Sequence, residues 1–228
     1  MQDLPASWNI CTELVDLTGR TTPELALREV GLISPGATLE RIVEDAPWRR
    51  GGAETYVYLF SVVGSDGQTR RAVAKALVAA TPGIPPEAQL DRWIHRRNLL
   101  RSRGCGVPVL YAFGKGMLVE EWIEHDAVDW LLSPTVANEA KADMVKQLVW
   151  YASCIDDLGF QPITFLPNIR VNGQDAKWID FGSDLGGPYP TNELRGYTAT
   201  LLARELSALG AQPWSAHAVS RTEEGRAN

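Results

Sequence analysis

The stretch that decides the fold is residues 55–77, TYVYLFSVVGSDGQTRRAVAKAL. Its first nine residues are rich in the aromatic and β-branched side chains that favour strands. The GSDGQ in the middle, residues 64–68, is typical of a tight hairpin turn, and RRAVAKAL then returns as a second strand. The segment therefore predicts an antiparallel hairpin that places Lys75 among apolar residues.

The sequence on either side of this hairpin predicts three more strands and a helix. TLERIVEDA, residues 38–46, precedes it, and VPVLYAF and GMLVEEWI, residues 107–113 and 116–123, follow it as a pair joined by a Gly-Lys-Gly turn. Between these groups, residues 85–104 place apolar side chains at helical spacing. Five strands interrupted by one helix and followed by a mainly helical remainder predict an α+β protein with two lobes.

The remainder begins with a long predicted helix, opened by Ser133 and Pro134 and ended by Gly159. The predicted organisation has four parts. These are an N-terminal helical extension (1–37), a lobe built on the sheet (38–123), a mainly helical lobe (124–220) and a flexible tail (221–228).

Composition excludes several classes of protein. The net charge of −6 argues against general nucleic-acid binding, and 45% hydrophobic residues are enough to bury a core. The three cysteines lack the spacing of a metal site or a disulfide framework, which favours a reducing compartment. The N-terminus does not resemble a signal peptide, and no apolar run is long enough for a membrane span. We therefore expect a cytoplasmic protein with neither nucleic acid nor membrane as a partner.

A second segment, LPNIRVNGQDAKWIDFG at residues 166–182, carries candidate chemistry. Asn168 precedes a predicted hairpin around Asn-Gly-Gln, and Asp180 follows the strand that completes it. Phosphoryl transfer from a nucleotide needs a lysine at the phosphates, oxygen ligands for magnesium and a glycine-bearing loop. Lys75, Asn168 and Asp180 supply these parts in order, together with the glycine pair Gly51-Gly52 between the first two strands.

On these residues the chain resembles the protein-kinase-like phosphotransferases, in particular the branch of aminoglycoside phosphotransferases and choline kinases. The resemblance covers roughly residues 38–187 and depends on three segments: AVAK, GVPVLYAFGKGMLVEEWI and LPNIRVNGQDAKWIDFG. It implies a two-lobed protein-kinase-like fold. The N-lobe would hold a five-stranded antiparallel sheet with one helix, and the small C-lobe would be mainly helical.

The resemblance implies ATP and Mg²⁺ as cofactors. Lys75 would contact the α and β phosphates, and Asn168 and Asp180 would bind the metal ion. The other implied nucleotide-binding residues are Gly51 and Gly52 at the phosphates, Val73 and Leu118 along the base, the backbone of Glu120–Trp122 at the adenine edge, and Asp91 as the helix acid that holds the lysine. Aligning on Gly-Val-Pro would instead put Arg96 or a neighbour at the place of that acid.

The chain departs from the family where a catalytic aspartate stands five residues before the asparagine. Ile163 occupies that position, and isoleucine cannot accept a proton. Another carboxylate, Asp184 or Asp157, could replace it. Alternatively, the acceptor needs no protein base, or the protein binds nucleotide without transfer, as pseudokinases do.

The sequence thus predicts a kinase-like, ATP- and Mg²⁺-binding phosphotransferase, with Asp180 and Asp184 as candidate catalytic residues. Its acceptor is unknown; a small molecule is favoured over a protein. The alternatives are a pseudokinase acting as a scaffold or regulatory module, and transfer of a nucleotidyl group. Each of these residues also has an interpretation without a functional role. Lys75 could be an edge-strand lysine that reaches water, and Asn168, Asp180 and Asp184 could simply be turn or loop residues.

Overall fold

The computed structural model describes residues 9–49, 54–78, 83–190 and 196–210. The chain divides into two compact units, unit 1 (Met1–Arg92 and Val109–Trp122) and unit 2 (Trp93–Pro108 and Ile123–Asn228). Across the described residues it is an α+β protein with a five-stranded antiparallel sheet and six α-helices, which confirms the predicted class and the predicted sheet. No helix within these ranges has the length and apolar character needed to cross a bilayer.

Unit 1 is built on the five-stranded sheet, with the strand order β1-β2-β3-β5-β4 and antiparallel pairing throughout. The predicted hairpin is its centre: Val57 lies opposite Lys75, and the turn is closed by the Gly64 N–H, which donates to the Gln68 carbonyl at 3.1 Å. The strands are β1 (Leu39–Arg49), β2 (Thr55–Gly64), β3 (Thr69–Leu77), β4 (Leu110–Gly114) and β5 (Met117–Glu121).

Two N-terminal helices, α1 (Ile10–Thr18) and α2 (Pro23–Glu29), share a hydrophobic core with this sheet. Side chains cap both helices. The Asn9 side chain accepts from the N–H groups of Cys11 and Thr12 in α1, and the Thr22 side chain accepts from that of Leu25 in α2. The fully buried helix residues Ile10, Leu14 and Leu27 join sheet residues that include Phe60, Ala72 and Ala74. The segment predicted as an extension is therefore part of the core of unit 1.

Strand alternation places Lys75 on the other face of the sheet. Successive side chains of a strand point to opposite faces. Because Ala72 and Ala74 belong to the core shared with the helices, Val73 and Lys75 face away from α1 and α2.

Helix α3 (Pro86–Ser102) contributes its residues up to Arg92 to unit 1 and those from Trp93 to unit 2. The described residues of unit 2 otherwise form three α-helices and a three-stranded antiparallel sheet of order β6-β7-β8. Its elements are β6 (His125–Asp126), α4 (Ala127–Leu132), α5 (Asn138–Asp157), β7 (Ile169–Asn172), β8 (Asp175–Trp178), α6 (Tyr197–Ala208) and two 3₁₀ helices, Leu166–Asn168 and Ser183–Leu185.

The long helix begins later than its sequence pattern predicts. The Ser133 hydroxyl accepts from the Thr135 N–H at 3.3 Å in a local turn, and α5 starts at Asn138. The shorter α4 precedes this turn and is capped by Asp126, whose side chain accepts from the Val128 N–H at 2.9 Å. The prediction of one helix from Ser133 is therefore wrong, because the serine stabilises a turn instead of a helix start.

Aromatic side chains dominate the core of unit 2 around residues 160–181. Phe160, Phe165, Trp178 and Phe181 are each at most 1% exposed. Phe165 packs edge-on against Trp178 with ring centroids 5.3 Å apart, and Trp93 packs edge-on against Phe181 at 6.3 Å. These contacts fix the segments that carry Asn168 and Asp180.

Candidate functional site

Unit 1 contains a buried ion pair between Lys75 and Glu120. The Lys75 Nζ lies 2.5 Å from the Glu120 Oε1, and the two side chains are 9% and 2% exposed. Lys75 lies opposite Leu118 and Val73 opposite Glu120 in the β3–β5 pairing, so the charged residues are diagonal neighbours on one face of the sheet. Removing two charges from water carries a desolvation penalty that can exceed the electrostatic attraction between them. A buried ion pair is therefore costly for stability and marks a candidate functional position.

The acid that pairs with Lys75 comes from a strand. The resemblance implied Asp91 for this role, but Asp91 lies exposed on α3. Glu120, which was expected to contribute only its backbone to a nucleotide, supplies the carboxylate. Strand order explains the difference, because β5 follows β4 in the chain and yet inserts between β3 and β4 in the sheet.

The remaining residues predicted for nucleotide binding in unit 1 occupy different environments. Val73 and Leu118 are 5% and 2% exposed, on the same face as Lys75. The backbone predicted to meet the adenine edge already has partners in the sheet. The Glu121 N–H donates to the Val109 carbonyl at 2.8 Å, and the Trp122 N–H donates to the Arg71 carbonyl at 3.4 Å. Gly51 and Gly52 lie outside the described residues.

In unit 2 the β7–β8 hairpin brings Asn168 and Asp180 to one end. Ile169 lies opposite Trp178, and the Ile179 N–H donates to the Asn168 carbonyl at 3.0 Å. The residue before Asp180 is thus hydrogen-bonded to Asn168. The Asp180 carboxylate accepts from the Gly182 N–H at 2.8 Å, which shapes the turn after the strand. Two oxygen-bearing side chains therefore flank one backbone hydrogen bond.

The amide of Asn168 has a defined orientation. Its Nδ2 donates to the Asp184 Oδ2 at 2.9 Å and to the Thr164 carbonyl at 3.0 Å. Both neighbours can only accept, so the nitrogen must face them. Within the described part of the chain, the Asn168 amide oxygen accepts no hydrogen bond from protein, although the residue is only 6% exposed. This oxygen is not a buried atom without a partner, so it reaches solvent and can bind water, a cation or a hydrogen-bond donor.

Arg96 on α3 holds the segment after Asp180. Its guanidinium donates to the carbonyls of Phe181, at 3.2 Å, of Gly187, at 3.0 Å, and of Gly182. The guanidinium carbon also lies 5.9 Å from the centre of the Phe160 ring. Arg96, which lies near the place where the family has an acidic residue on this helix, is thus positively charged and donates to backbone carbonyls.

Glu205 on α6 anchors the segment before Asn168, and sequence analysis missed it. Its carboxylate accepts from the Phe165 N–H at 3.0 and 3.2 Å and from the Leu166 N–H at 2.7 Å. In the sequence, Glu205 resembles any acid on the polar side of an amphipathic helix. No signal in the sequence separates it from a solvated residue.

The carboxylates considered as replacements for the missing aspartate differ in environment. Ile163 is 65% exposed, and its N–H donates to the Asp184 carbonyl at 2.9 Å. Asp184 also accepts at Oδ2 from the Thr164 hydroxyl at 3.1 Å, in addition to Asn168. Asp157 is exposed at the end of α5. Its neighbour Asp156 is buried and accepts from the Thr198 N–H at 2.9 Å, which ties α5 to the start of α6.

Metal binding here would depend on few protein ligands. Among the residues that the structure describes, no group of three or more His, Cys, Asp or Glu side chains is placed to hold a metal ion. Magnesium bound to a nucleotide uses one or two protein oxygen ligands and takes the rest from phosphates and water. The amide oxygen of Asn168 and the carboxylate of Asp180 fit that requirement.

Searches with the sequence found no match among protein-family models and none among curated proteins. No family is therefore shown for this chain. The resemblance to protein-kinase-like phosphotransferases stays a prediction from its sequence.

Proposed function

We propose that the protein has a protein-kinase-like fold and binds ATP with Mg²⁺ as a phosphotransferase acting on an acceptor, with a small molecule favoured over a protein. The observation that carries the proposal is the pair of oxygen donors at one end of the β7–β8 hairpin. Asn168 directs its amide nitrogen to Asp184 and Thr164, and its backbone is hydrogen-bonded to the residue before Asp180. Oxygen donors of this kind suit magnesium.

Lys75 supports the same proposal from unit 1. A lysine that is buried on a sheet face in an ion pair with Glu120 is costly for stability, and phosphate binding would account for its presence there. In the proposed role the ammonium group contacts the α and β phosphates, and Asn168 and Asp180 hold the metal ion. Bound magnesium would neutralise negative charge on the phosphates as the transferred group leaves.

A second candidate function, nucleotide binding without transfer, is favoured by the environment of Ile163. The side chain is 65% exposed where the family has its catalytic aspartate, and Asp184 already accepts hydrogen bonds from Asn168 and Thr164. Phosphoryl transfer depends mainly on positioning and charge stabilisation, so a missing base lowers the rate without abolishing transfer. Binding and turnover therefore have to be measured separately.

Thermal unfolding in the presence of ATP and Mg²⁺ tests the binding proposal. We expect ATP with Mg²⁺ to raise the melting temperature of the wild type, and Asp180→Ala to lose the part that requires Mg²⁺. Asp175→Ala is the matched control, because Asp175 is an exposed aspartate in the same hairpin. A wild type that shows no ligand-dependent shift would end the proposal.

Product analysis separates the candidate functions once binding is established. Consumption of ATP with a panel of alcohol- and amine-bearing small molecules would support a kinase. Mass spectrometry of the product then distinguishes an added phosphoryl group from an added adenylyl group. ATP binding with no turnover under any acceptor would favour the scaffold or regulatory function.

A further inference from the structure

The short 3₁₀ helix Ser183–Leu185 is hydrogen-bonded to residues 163–168 through Asp184. The Asp184 Oδ2 accepts from the Asn168 Nδ2 at 2.9 Å and from the Thr164 hydroxyl at 3.1 Å. Its backbone carbonyl accepts from the Ile163 N–H at 2.9 Å. Asp184 therefore accepts three hydrogen bonds, which fix the segment that carries Asn168.

The side chain of Asp184 fixes which way the Asn168 amide points, together with the Thr164 carbonyl, which accepts from the same nitrogen at 3.0 Å. An amide presents two donors on nitrogen and two acceptor sites on oxygen, and a half-turn exchanges them. With the oxygen turned toward Asp184, two acceptors would face each other. The two Nδ2–H groups would then be directed to the opposite side, where they repel a cation. The carboxylate therefore holds Asn168 in the orientation in which its oxygen is available.

We propose that Asp184 is a positioning residue that orients the Asn168 amide for Mg²⁺, and that it is not the proton acceptor replacing the missing aspartate. The inference rests on the proposed function for its ligand. It assigns Asp184 a task that requires a hydrogen-bond acceptor at a fixed place. A group with the basicity of a carboxylate is not required.

Arg96 places Asp184 for this task. Its guanidinium binds the Gly182 carbonyl before the 3₁₀ helix and the Gly187 carbonyl after it, the latter at 3.0 Å. Arg96 thereby holds residues 182–187 at both ends. Asp184 lies between these ends, and its side chain accepts from Asn168. Five charge-assisted donors on a planar group make arginine suited to holding several carbonyls at once.

Substitution by asparagine separates positioning from proton transfer. Asp184→Asn keeps an acceptor oxygen for Asn168 and Thr164 and loses basicity, whereas Asp184→Ala loses both. We expect Asp184→Ala to weaken the Mg²⁺-dependent part of ATP affinity about 10- to 100-fold, as for other residues that orient a metal ligand. ATP affinity measured in EDTA should not change. Asp184→Asn should stay near wild type in both measurements, and Asp175→Asn is the control.

A second readout does not need a ligand. The side-chain amide of Asn168 gives a ¹⁵N–¹H pair in NMR spectra, which its disappearance in Asn168→Ala identifies. We expect both protons of this amide to be protected from hydrogen exchange in the wild type and in Asp184→Asn. In Asp184→Ala the proton that was donated to Asp184 should lose protection, while the one donated to the Thr164 carbonyl keeps its acceptor. If Asp184→Ala does not fold, Thr164→Val removes one of the two hydrogen bonds at Oδ2 and should give a partial loss of protection.

The outcomes are distinct. Unchanged Asn168 protection or unchanged Mg²⁺ dependence in Asp184→Ala would overturn the inference. So would an Asp184→Asn variant as impaired as the alanine variant, because the carboxylate charge itself would then be required. If wild-type ATP affinity does not depend on Mg²⁺, the proposed function fails, and the NMR comparison alone decides whether Asp184 orients Asn168.

Discussion

Lys75 on β3 and Glu120 on β5 form a buried ion pair of 2.5 Å on the sheet face that points away from α1 and α2. The carboxylate that holds the lysine therefore belongs to the same rigid sheet. The ion pair thus links two neighbouring strands, β3 and β5, through their side chains.

Breaking this pair should cost far more than breaking an exposed one. Glu120→Gln leaves the lysine charge buried beside a neutral amide, and we expect a loss of roughly 3 kcal/mol in the free energy of unfolding, measured by urea denaturation. The double variant Glu120→Gln with Lys75→Met should recover most of this loss.

The pair Lys115–Asp16 in unit 1 is the matched comparison, because its side chains are 59% and 61% exposed. Lys115→Met should cost less than about 1 kcal/mol. Equal costs for Glu120→Gln and Lys115→Met would contradict the view that burial makes the Lys75 pair special.

Glu205 should stabilise the segment before Asn168 through two backbone N–H groups. Glu205→Ala leaves the N–H groups of Phe165 and Leu166 without their acceptor, and each buried unsatisfied group costs about 1–3 kcal/mol. Hydrogen exchange should become faster at these two amides before it does in β7 or β8. Arg204→Ala, an exposed neighbour on α6, should leave both amides protected. Equal protection in Glu205→Ala and the wild type would refute this role.

Tyr151 bridges two segments of unit 2 with its hydroxyl. It accepts from the Gly106 N–H at 2.5 Å and donates to the Ala176 carbonyl at 2.6 Å, and burial raises its pKa to about 12. Tyr151→Phe keeps the ring and leaves both backbone groups unsatisfied, so we expect a loss of about 1–3 kcal/mol in unfolding free energy.

Tyr189→Phe is the control for this experiment, since its side chain is 48% exposed and the change should cost little. Gly106→Ala provides an independent check of the same contact. A Cβ there would lie 2.3 Å from the Ala176 oxygen, so alanine should be more harmful than Tyr151→Phe. A neutral Gly106→Ala variant would show that the two segments are not this close.

Asp156 should make stability depend on pH. Burial raises the pKa of this carboxyl in the folded protein, against the lowering effect of hydrogen bonds from Thr198 and its neighbours. A raised pKa means that the folded state binds its proton more tightly than the unfolded state. The contribution of Asp156 to stability is therefore greatest at low pH and is lost as pH rises from about 4 through the folded-state pKa.

Asp156→Asn removes this titration and keeps an acceptor for the Thr198 N–H. The stability of the variant relative to the wild type should rise with pH across the same window, measured by urea denaturation at a series of pH values. A relative stability that falls with pH would mean that the folded-state pKa is lowered instead.

The sequence predicted elements better than contacts. The β2–β3 hairpin was predictable because strand-forming residues flank a turn-forming segment, and the strand and turn patterns gave five strands interrupted by one helix. Their assembly into one antiparallel sheet was implied by the resemblance to a family. The start of α5 was predicted wrongly, since a serine before a proline suits both a helix cap and the turn that Ser133 makes. The partners of Lys75 and Asn168 depend on which strands and loops become neighbours. No short sequence pattern predicts the ion pair between Lys75 and Glu120 or the hydrogen bond between Asn168 and Asp184.

The position of β5 between two neighbouring strands limits how Glu120 can separate from Lys75. Hydrogen bonds to β3 on one edge and to β4 on the other hold the strand, and a slip of one residue would turn Glu120 to the opposite side of the sheet. The carboxylate can therefore move aside only by rotation about its own side-chain bonds. Such a rotation would free the ammonium group of Lys75 from this carboxylate and leave the backbone hydrogen bonds of the sheet intact.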